Sequence, residues 1–397
     1  MTTLLNVARA QRIFGNAGVD AVIATTHANV MYLSGFRGFG QRLMPTTQVY
    51  AVARLDDLAS STVILPAGEL DIAAQFPPPN ATFSPYGRFF VEHTAGNGHP
   101  REEMARYGSL ASADTVASAL NALTDQLDRL RPATRIALDE RGISPLMRDA
   151  VRLRYGDRLV DGAALFEQIR MVKTPDEIRR LTRATEVIEK AYQAALAGAR
   201  EGMTELEMTL VMDSETLRQG CDPVFSVVAF GERSALPNAV PGDRRLQAGD
   251  IIRFDIGCRS EGYYSDIART AIFGKATPKV DAYYRAILEG EEEAIKEVRA
   301  GVPANRVFQT AVESTRRAGI PHYRRHHVGH GIGLDLYDTP ILNEATSTPL
   351  EAGMVLEVET PYYEVGFGGL QVEDTILVTE NGSQRITETT SELVLVG

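Results

Sequence analysis

The chain has 397 residues, 44% hydrophobic and 23% charged, with a net charge of −11. That length admits two domains with separate cores, in the balance expected of a soluble globular protein. The acidic charge argues against a nucleic-acid partner, and no apolar run approaches the roughly 18 to 20 residues of a membrane span.

The N-terminal MTTLLNVARAQRIFGNAG lacks a basic segment followed by an apolar block and a cleavage site, so it reads as a first helix and not as an export signal. Residues 4–17 carry apolar positions at helical spacing. AVIATT, QVYAVARL and STVILPAG read as strands, residues 111–130 as another amphipathic stretch, and RIALDE as a further strand. This alternation predicts an α/β domain with helices packed on a sheet. Residues 76–100, rich in Pro, Gly and Asn, read as long surface loops carrying Phe89, His93 and His99. After LVDGAALFEQIRMVKTP comes a charged helical segment with Pro175 at its start. The boundary is therefore placed at about residue 160, giving an N-terminal α/β domain over 1–160 and a second domain over 161–397. Cys221 and Cys258 are too few for a disulfide framework and suit a reducing, cytoplasmic setting.

An internal repeat organises the second domain. LQAGDIIRFD ends at Asp255 and LEAGMVLEVE ends at Glu359; both begin Leu-x-Ala-Gly and close on a carboxylate. Each is followed by a Gly-containing turn and a strand with another acid, Asp266 in YYSDIART and Glu373 in LQVEDTILVT. Two related hairpins with paired acids predict a pseudo-twofold half-barrel whose carboxylates converge. Buried together and ionised, these acids would repel, and bound dications remove that penalty. His330, flanked by glycines in HHVGHGIGLDLYD, is the candidate imidazole ligand. The set Asp255, Asp266, His330, Glu359 and Glu373 suffices for two divalent ions. Manganese is expected from the oxygen-rich donors, with iron, cobalt and zinc as alternatives. Arg253 and Glu357 each stand two residues before a candidate ligand, where they either pair beside the metals or stand as separate solvated charges.

DIGCRSEGYYSDIART, VGHGIGL, GMVLEVE and VEDTILV resemble the successive metal-site motifs of the M24 family, whose catalytic domain has the α+β pita-bread fold. That family includes methionine aminopeptidase, aminopeptidase P, prolidase and creatinase. The α/β first domain and the RMVKTPDEI junction narrow the likeness to the aminopeptidase P, prolidase and creatinase branch. Creatinase lacks the metal ligands, whereas all five positions are kept here. The resemblance implies that Asp255 chelates one metal and His330 the other, while Asp266 and Glu373 bridge them. Glu359 would bind metal and handle the proton of the attacking water, which two cations activate near neutral pH. His326, four residues before His330, matches the family histidine that steadies the substrate carbonyl. Family members with this first domain commonly form homodimers in which it lends residues to the partner's site, a role open to the loops around Phe89, His93 and His99.

Three positions depart from the pattern. Asn238 in ALPNAVPGD and Tyr337 in GLDLYD replace histidines, and Gln371 in GLQVED replaces an arginine. Gln371 shares a strand face with Glu373. Exchanging cationic donors for neutral ones weakens recognition of a free C-terminal carboxylate. The leading expectation is a peptidase acting on Xaa-Pro bonds of a small peptide. The alternative is a non-peptidase relative that opens a C–N or other bond of a small metabolite, like ectoine hydrolase or a sulfoniopropionate lyase. A catalytically dead binding module is the third, and the retained ligand positions weigh against it.

Overall fold

The structure, a computed structural model, describes residues 4–44, 46–92, 101–131 and 134–397. His93 and His99 lie outside the described residues. The chain divides into two units, Met1–Arg170 and Met171–Gly397. The helix Ala163–Arg170 thus goes with the first unit, and the division falls beyond the position near residue 160 where composition placed it.

The first unit is built on a mixed sheet of β1 (Ala21–Ala24), β2 (Tyr50–Arg54), β3 (Asp57–Pro66), β4 (Ala81–Tyr86), β5 (Ile136–Leu138) and β6 (Leu159–Asp161). Their order is β4-β3-β2-β1-β5-β6. Central β1 and β5 are buried at every position and are accordingly apolar without alternation. Residues 111–130 do not form one helix. Glu102–Ala111 ends, and Ala119–Asp128 starts afresh at Ser118, whose side chain accepts from Asn121 N. Between them Val116 bridges to Tyr86, which holds the connection extended. β4 forms within the stretch read as loop because its backbone pairs with β3 in parallel register.

In the second unit, capping boxes at Thr174/Glu177 and Thr204/Glu207 start the helices Pro175–Ala197 and Glu205–Arg218. Its strands are β7 (Asp222–Phe230), β8 (Ile251–Ser260), β9 (Tyr263–Tyr264), β10 (Ile267–Phe273), β11 (Gly329–Gly331), β12 (Asp338–Ile341) and β13 (Val355–Glu359). The small hairpin β14 (Tyr362–Glu364) and β15 (Gly368–Leu370) follows, then β16 (Glu373–Val378), β17 (Ser383–Arg385) and β18 (Val394–Val396). The main sheet runs β12-β11-β13-β16-β10-β8-β7 with antiparallel neighbours throughout. The helices Pro278–Glu297 and Ala304–Ala318 complete the α+β arrangement. Among the described residues no helix is long and apolar enough to cross a membrane.

Strand alternation decides which side chains reach the site. Phe254, Ile256 and Cys258 of β8 pack with Val187, Ile188 and Tyr192 of the helix Pro175–Ala197. Leu356 and Val358 of β13 pack with Ile287 and Val307 of the two later helices. The intervening Arg253, Asp255, Glu357 and Glu359 therefore face the other way. The repeat has a backbone counterpart: Gly249 and Gly353, the glycines of the two Leu-x-Ala-Gly segments, have φ of 89° and 91°. That left-handed turn before each strand is where glycine is favoured.

Candidate metal centre

Ladder register lines up the acids. Asp255 on β8 lies opposite Ala268 on β10, Ala268 opposite Glu373 on β16, and Glu373 opposite Glu359 on β13. One row across four strands thus carries three carboxylates on one face. Asp266 enters from the turn before β10. His330 on β11 stands opposite Glu357, on the same face as Glu359. One ligand atom from each of Asp266, His330 and Glu373 falls within 4.8 Å of the others, and all three residues are buried.

The donor chemistry fits a cation. His330 Nδ1 lies 2.9 Å from the Gly331 carbonyl, which can only accept, so Nδ1 carries the proton. Nε2 keeps its lone pair and points toward Asp266 Oδ2 at 3.7 Å. Asp266 Oδ1 is buried with no hydrogen-bond partner among the described residues. Such an orphaned oxygen is costly unless something positive meets it. Burial, and then the charges of neighbouring acids, push Asp266 and Glu373 well above the ordinary carboxylate value. Burial likewise raises Asp255, to about 6, against the lowering effect of Arg253. His330 is pushed down to about 4, chiefly by burial. The site thus binds protons where a dication would replace them.

Glu359 is set apart by its neighbours. Burial would raise it, but the His327 hydrogen bond and the nearby Arg325 and His330 outweigh burial and hold it below the ordinary value. His327 Nδ1 lies 3.0 Å from Glu359 Oε1, and Arg325 Nη2 lies 3.8 Å from the same oxygen. His326, singled out from the sequence, is exposed, and its ring leans on His327 with centroids 4.2 Å apart. Sequence reasoning passed over Arg325 and His327; their only signal was the RRHH run before His330.

The three departures fall around this centre in different ways. Gln371 is buried, and its Nε2 donates to Asp255 Oδ2 at 3.1 Å and faces Glu359 Oε2 at 3.5 Å. Tyr337 stacks on His330 with its outer face exposed. Asn238 is exposed in the segment before β8.

The Arg253–Glu357 pair does not form. Arg253 bonds Gln371 and the carbonyls of residues 234, 236 and 237, and lies 3.6 Å from Asp255 Oδ2. Glu357 Oε1 accepts from Thr375 Oγ1 at 3.2 Å. The repeat aligns the two residues in sequence, but β16 and β10 separate their strands in the sheet.

Residues 179–380 match the model of metallopeptidase family M24, and residues 6–172 match the creatinase/prolidase N-terminal domain. An Xaa-Pro dipeptidase of Pyrococcus furiosus is 34% identical over 232 residues, 58% of this chain and 67% of the relative. Matches of this kind thus span about two thirds of the relatives' length. Among solved structures, the prolidase of Pyrococcus horikoshii superposes with a TM-score of 0.77 at 25% identity, covering 98% of this chain and 99% of that one. Dipeptidase PepE of Mycobacterium ulcerans gives 0.76 at 26% identity, covering 98% and 96%. Together with the buried Asp266–His330–Glu373 cluster, these matches establish that the chain belongs to metallopeptidase family M24, in its aminopeptidase P and prolidase branch, and is a metal-dependent hydrolase.

Proposed function

We propose that this hydrolase carries two divalent ions and cleaves Xaa-Pro bonds of dipeptides or short peptides. The observation that carries the reading is the convergence of buried Asp266, His330 and Glu373. Asp255 and Glu359, in the same row of the sheet, complete the ligand set. Asp255 would hold one ion and His330 Nε2 the other, with Asp266 and Glu373 shared. Such a pair, when bound, acidifies a coordinated water and polarises a carbonyl. Manganese is the expected metal because four of the five ligands are carboxylates.

The chain's own residues supply the rest. Glu359, kept anionic by His327 and Arg325, accepts the proton of the attacking water. The Gln371 amide holds Asp255 and Glu359 in place, and Tyr337 closes one face of His330. Asn238 would meet the substrate at the mouth. A homodimer in the cytoplasm belongs to the same reading, on the family resemblance and the two buried free cysteines.

The test is hydrolysis by manganese-reconstituted protein of Xaa-Pro dipeptides, their C-terminal amides, longer Xaa-Pro peptides and small N-acylated metabolites, with Glu373→Ala as blank. Cleavage of the Xaa-Pro substrates, absent in the blank, supports the reading. One observation favours a second reading, a non-peptidase hydrolase of a small metabolite: position 371 presents a neutral amide whose oxygen is already bonded to Arg253. Cleavage confined to the N-acylated metabolites would establish that alternative.

A further inference from the structure

Arg253 is completely buried, where a guanidinium is tolerated only if its N–H groups are met. Its Nε donates to the Ser234 carbonyl at 3.0 Å, and Nη2 to the carbonyls of Leu236 and Pro237 at 2.6 and 3.0 Å. Nη1 donates to Gln371 Oε1 at 2.9 Å. Tyr363, whose ring lies under the guanidinium at 5.1 Å, donates its hydroxyl to the same Oε1 at 3.1 Å.

These contacts determine which way the Gln371 amide points. Arginine nitrogens donate and never accept, so reversing the amide would set an NH2 group against the guanidinium. The oxygen must face Arg253, and the NH2 must face Asp255 and Glu359, as found. The same guanidinium grips the two residues before Asn238. The arginine expected at 371 from the resemblance is absent, while a guanidinium stands one strand row behind the ligands and turns its donors inward.

We propose that Arg253 is a positioning residue: it locks the Gln371 amide toward Asp255 and Glu359 and ties that side of the centre to the segment ending at Asn238. This rests on reading those two carboxylates as metal ligands. Arg253 has its donors committed to the protein and takes no part in binding substrate. Its charge also lies 3.6 Å from Asp255 Oδ2; Arg253→Lys keeps that charge, so that variant reads the link through Gln371.

Cobalt(II) is the probe, because its visible absorption reports ligand geometry without turnover. Cobalt affinity and spectrum would be measured for the wild type, Arg253→Lys, Gln371→Met and the double variant, with circular dichroism and melting curves confirming the fold. Loss of a residue that orients metal ligands commonly costs about 10- to 100-fold in affinity. Each single variant is expected to weaken cobalt binding by about 10-fold and to shift the spectrum. The double variant should be no worse than the weaker-binding single, because both remove one linkage. Multiplying effects, or a folded Arg253→Lys with wild-type affinity and spectrum, would overturn the proposal. Should Arg253→Lys fail to fold, Gln371→Met decides: unchanged cobalt binding there overturns the proposal equally. A wild type that binds no cobalt overturns this inference and the metal reading together. One that binds cobalt but cleaves no peptide overturns only the peptidase reading.

Discussion

Tyr337 lies flat on His330, with ring centroids 3.7 Å apart and planes inclined by 22°. The stack seals an imidazole that is only 1% exposed, and burial is the main reason its pKa falls to about 4. Tyr337→Ala should open that face to water and move His330 back toward its ordinary value. Protons then compete with metal for Nε2 at higher pH, so the pH at which metal is lost on acidification should rise. Tyr337→Phe keeps the ring and should leave that midpoint in place. Metal content after dialysis across a pH series checks both variants. The lost ring contact should also destabilise Tyr337→Ala by about 1 kcal/mol.

Gln371→Arg, which restores the residue expected from the resemblance, should not restore carboxylate recognition by itself. The new guanidinium would start where Gln371 Oε1 now accepts from Arg253 Nη1 at 2.9 Å. Two buried cations would meet, at a cost of several kcal/mol once neither is properly paired. The single variant is therefore expected to melt earlier than the wild type. Gln371→Arg combined with Arg253→Leu removes the repulsion and should recover part of the loss. Melting curves of the three proteins decide it, and equal stability of single and double variants would sink the argument.

The contrast between Arg253 and the acids shows what a sequence can convey here. Leu-x-Ala-Gly followed by an apolar run and a carboxylate is a local pattern. Its glycine serves a left-handed turn, and its acid sits at a set distance along the strand. That pattern marks Asp255 and Glu359 directly, and Asp266 and Glu373 only through the strand that follows each repeat, while His330 stands outside it among its flanking glycines. Partners across the sheet are a different matter. Aligning the repeats sets Arg253 beside Glu357, but strand order places β16 and β10 between them. Likewise, only the path of the chain before β11 determines that His327, and not His326, touches Glu359. The break between the helices Glu102–Ala111 and Ala119–Asp128 depends on a bridge from Val116 to the distant Tyr86.

Proton linkage at the centre has a definite sign. Asp266 and Glu373 hold protons in the folded, metal-free protein at pH values where an unfolded carboxyl, near ~4, has lost its own. The folded state then binds more protons than the unfolded one, so stability falls as pH rises from about 4 through the folded values. His330 runs the other way: its neutral form contributes stability above its ordinary value of 6.5, lost as pH falls through about 4. The trends oppose below that ordinary value, and above it, of these three groups, only the two carboxylates contribute. With chelator present, the centre's contribution to stability should fall as pH rises above His330's ordinary 6.5, and saturating manganese should remove much of that slope from Tm. A slope that manganese leaves unchanged would contradict the assignment.

Asp374 follows Glu373 directly, so its side chain leaves the opposite face of β16 from the metal centre. There it pairs with Arg269, and both are buried. Arg269 Nη1 also donates to the Glu373 carbonyl at 2.7 Å and the Ala268 carbonyl at 2.9 Å, pinning β16, which carries Glu373, to β10, which Asp266 directly precedes. Asp374 takes a further bond from Ser391 Oγ at 2.9 Å and lies 3.3 Å from Arg385 Nε. Removing Arg269 leaves Asp374 only the half-buried Arg385 as counter-charge, so Arg269→Met should cost about 3 kcal/mol in urea unfolding, the low end for a broken buried pair. Asp374→Leu should cost a similar amount, since Arg269 would lose its counter-charge. The double variant buries no stranded partner and should lose markedly less than the sum of the singles, a coupling that a double-mutant cycle reads directly. Strict additivity would mean that the pair holds the strands only through its separate bonds to the backbone.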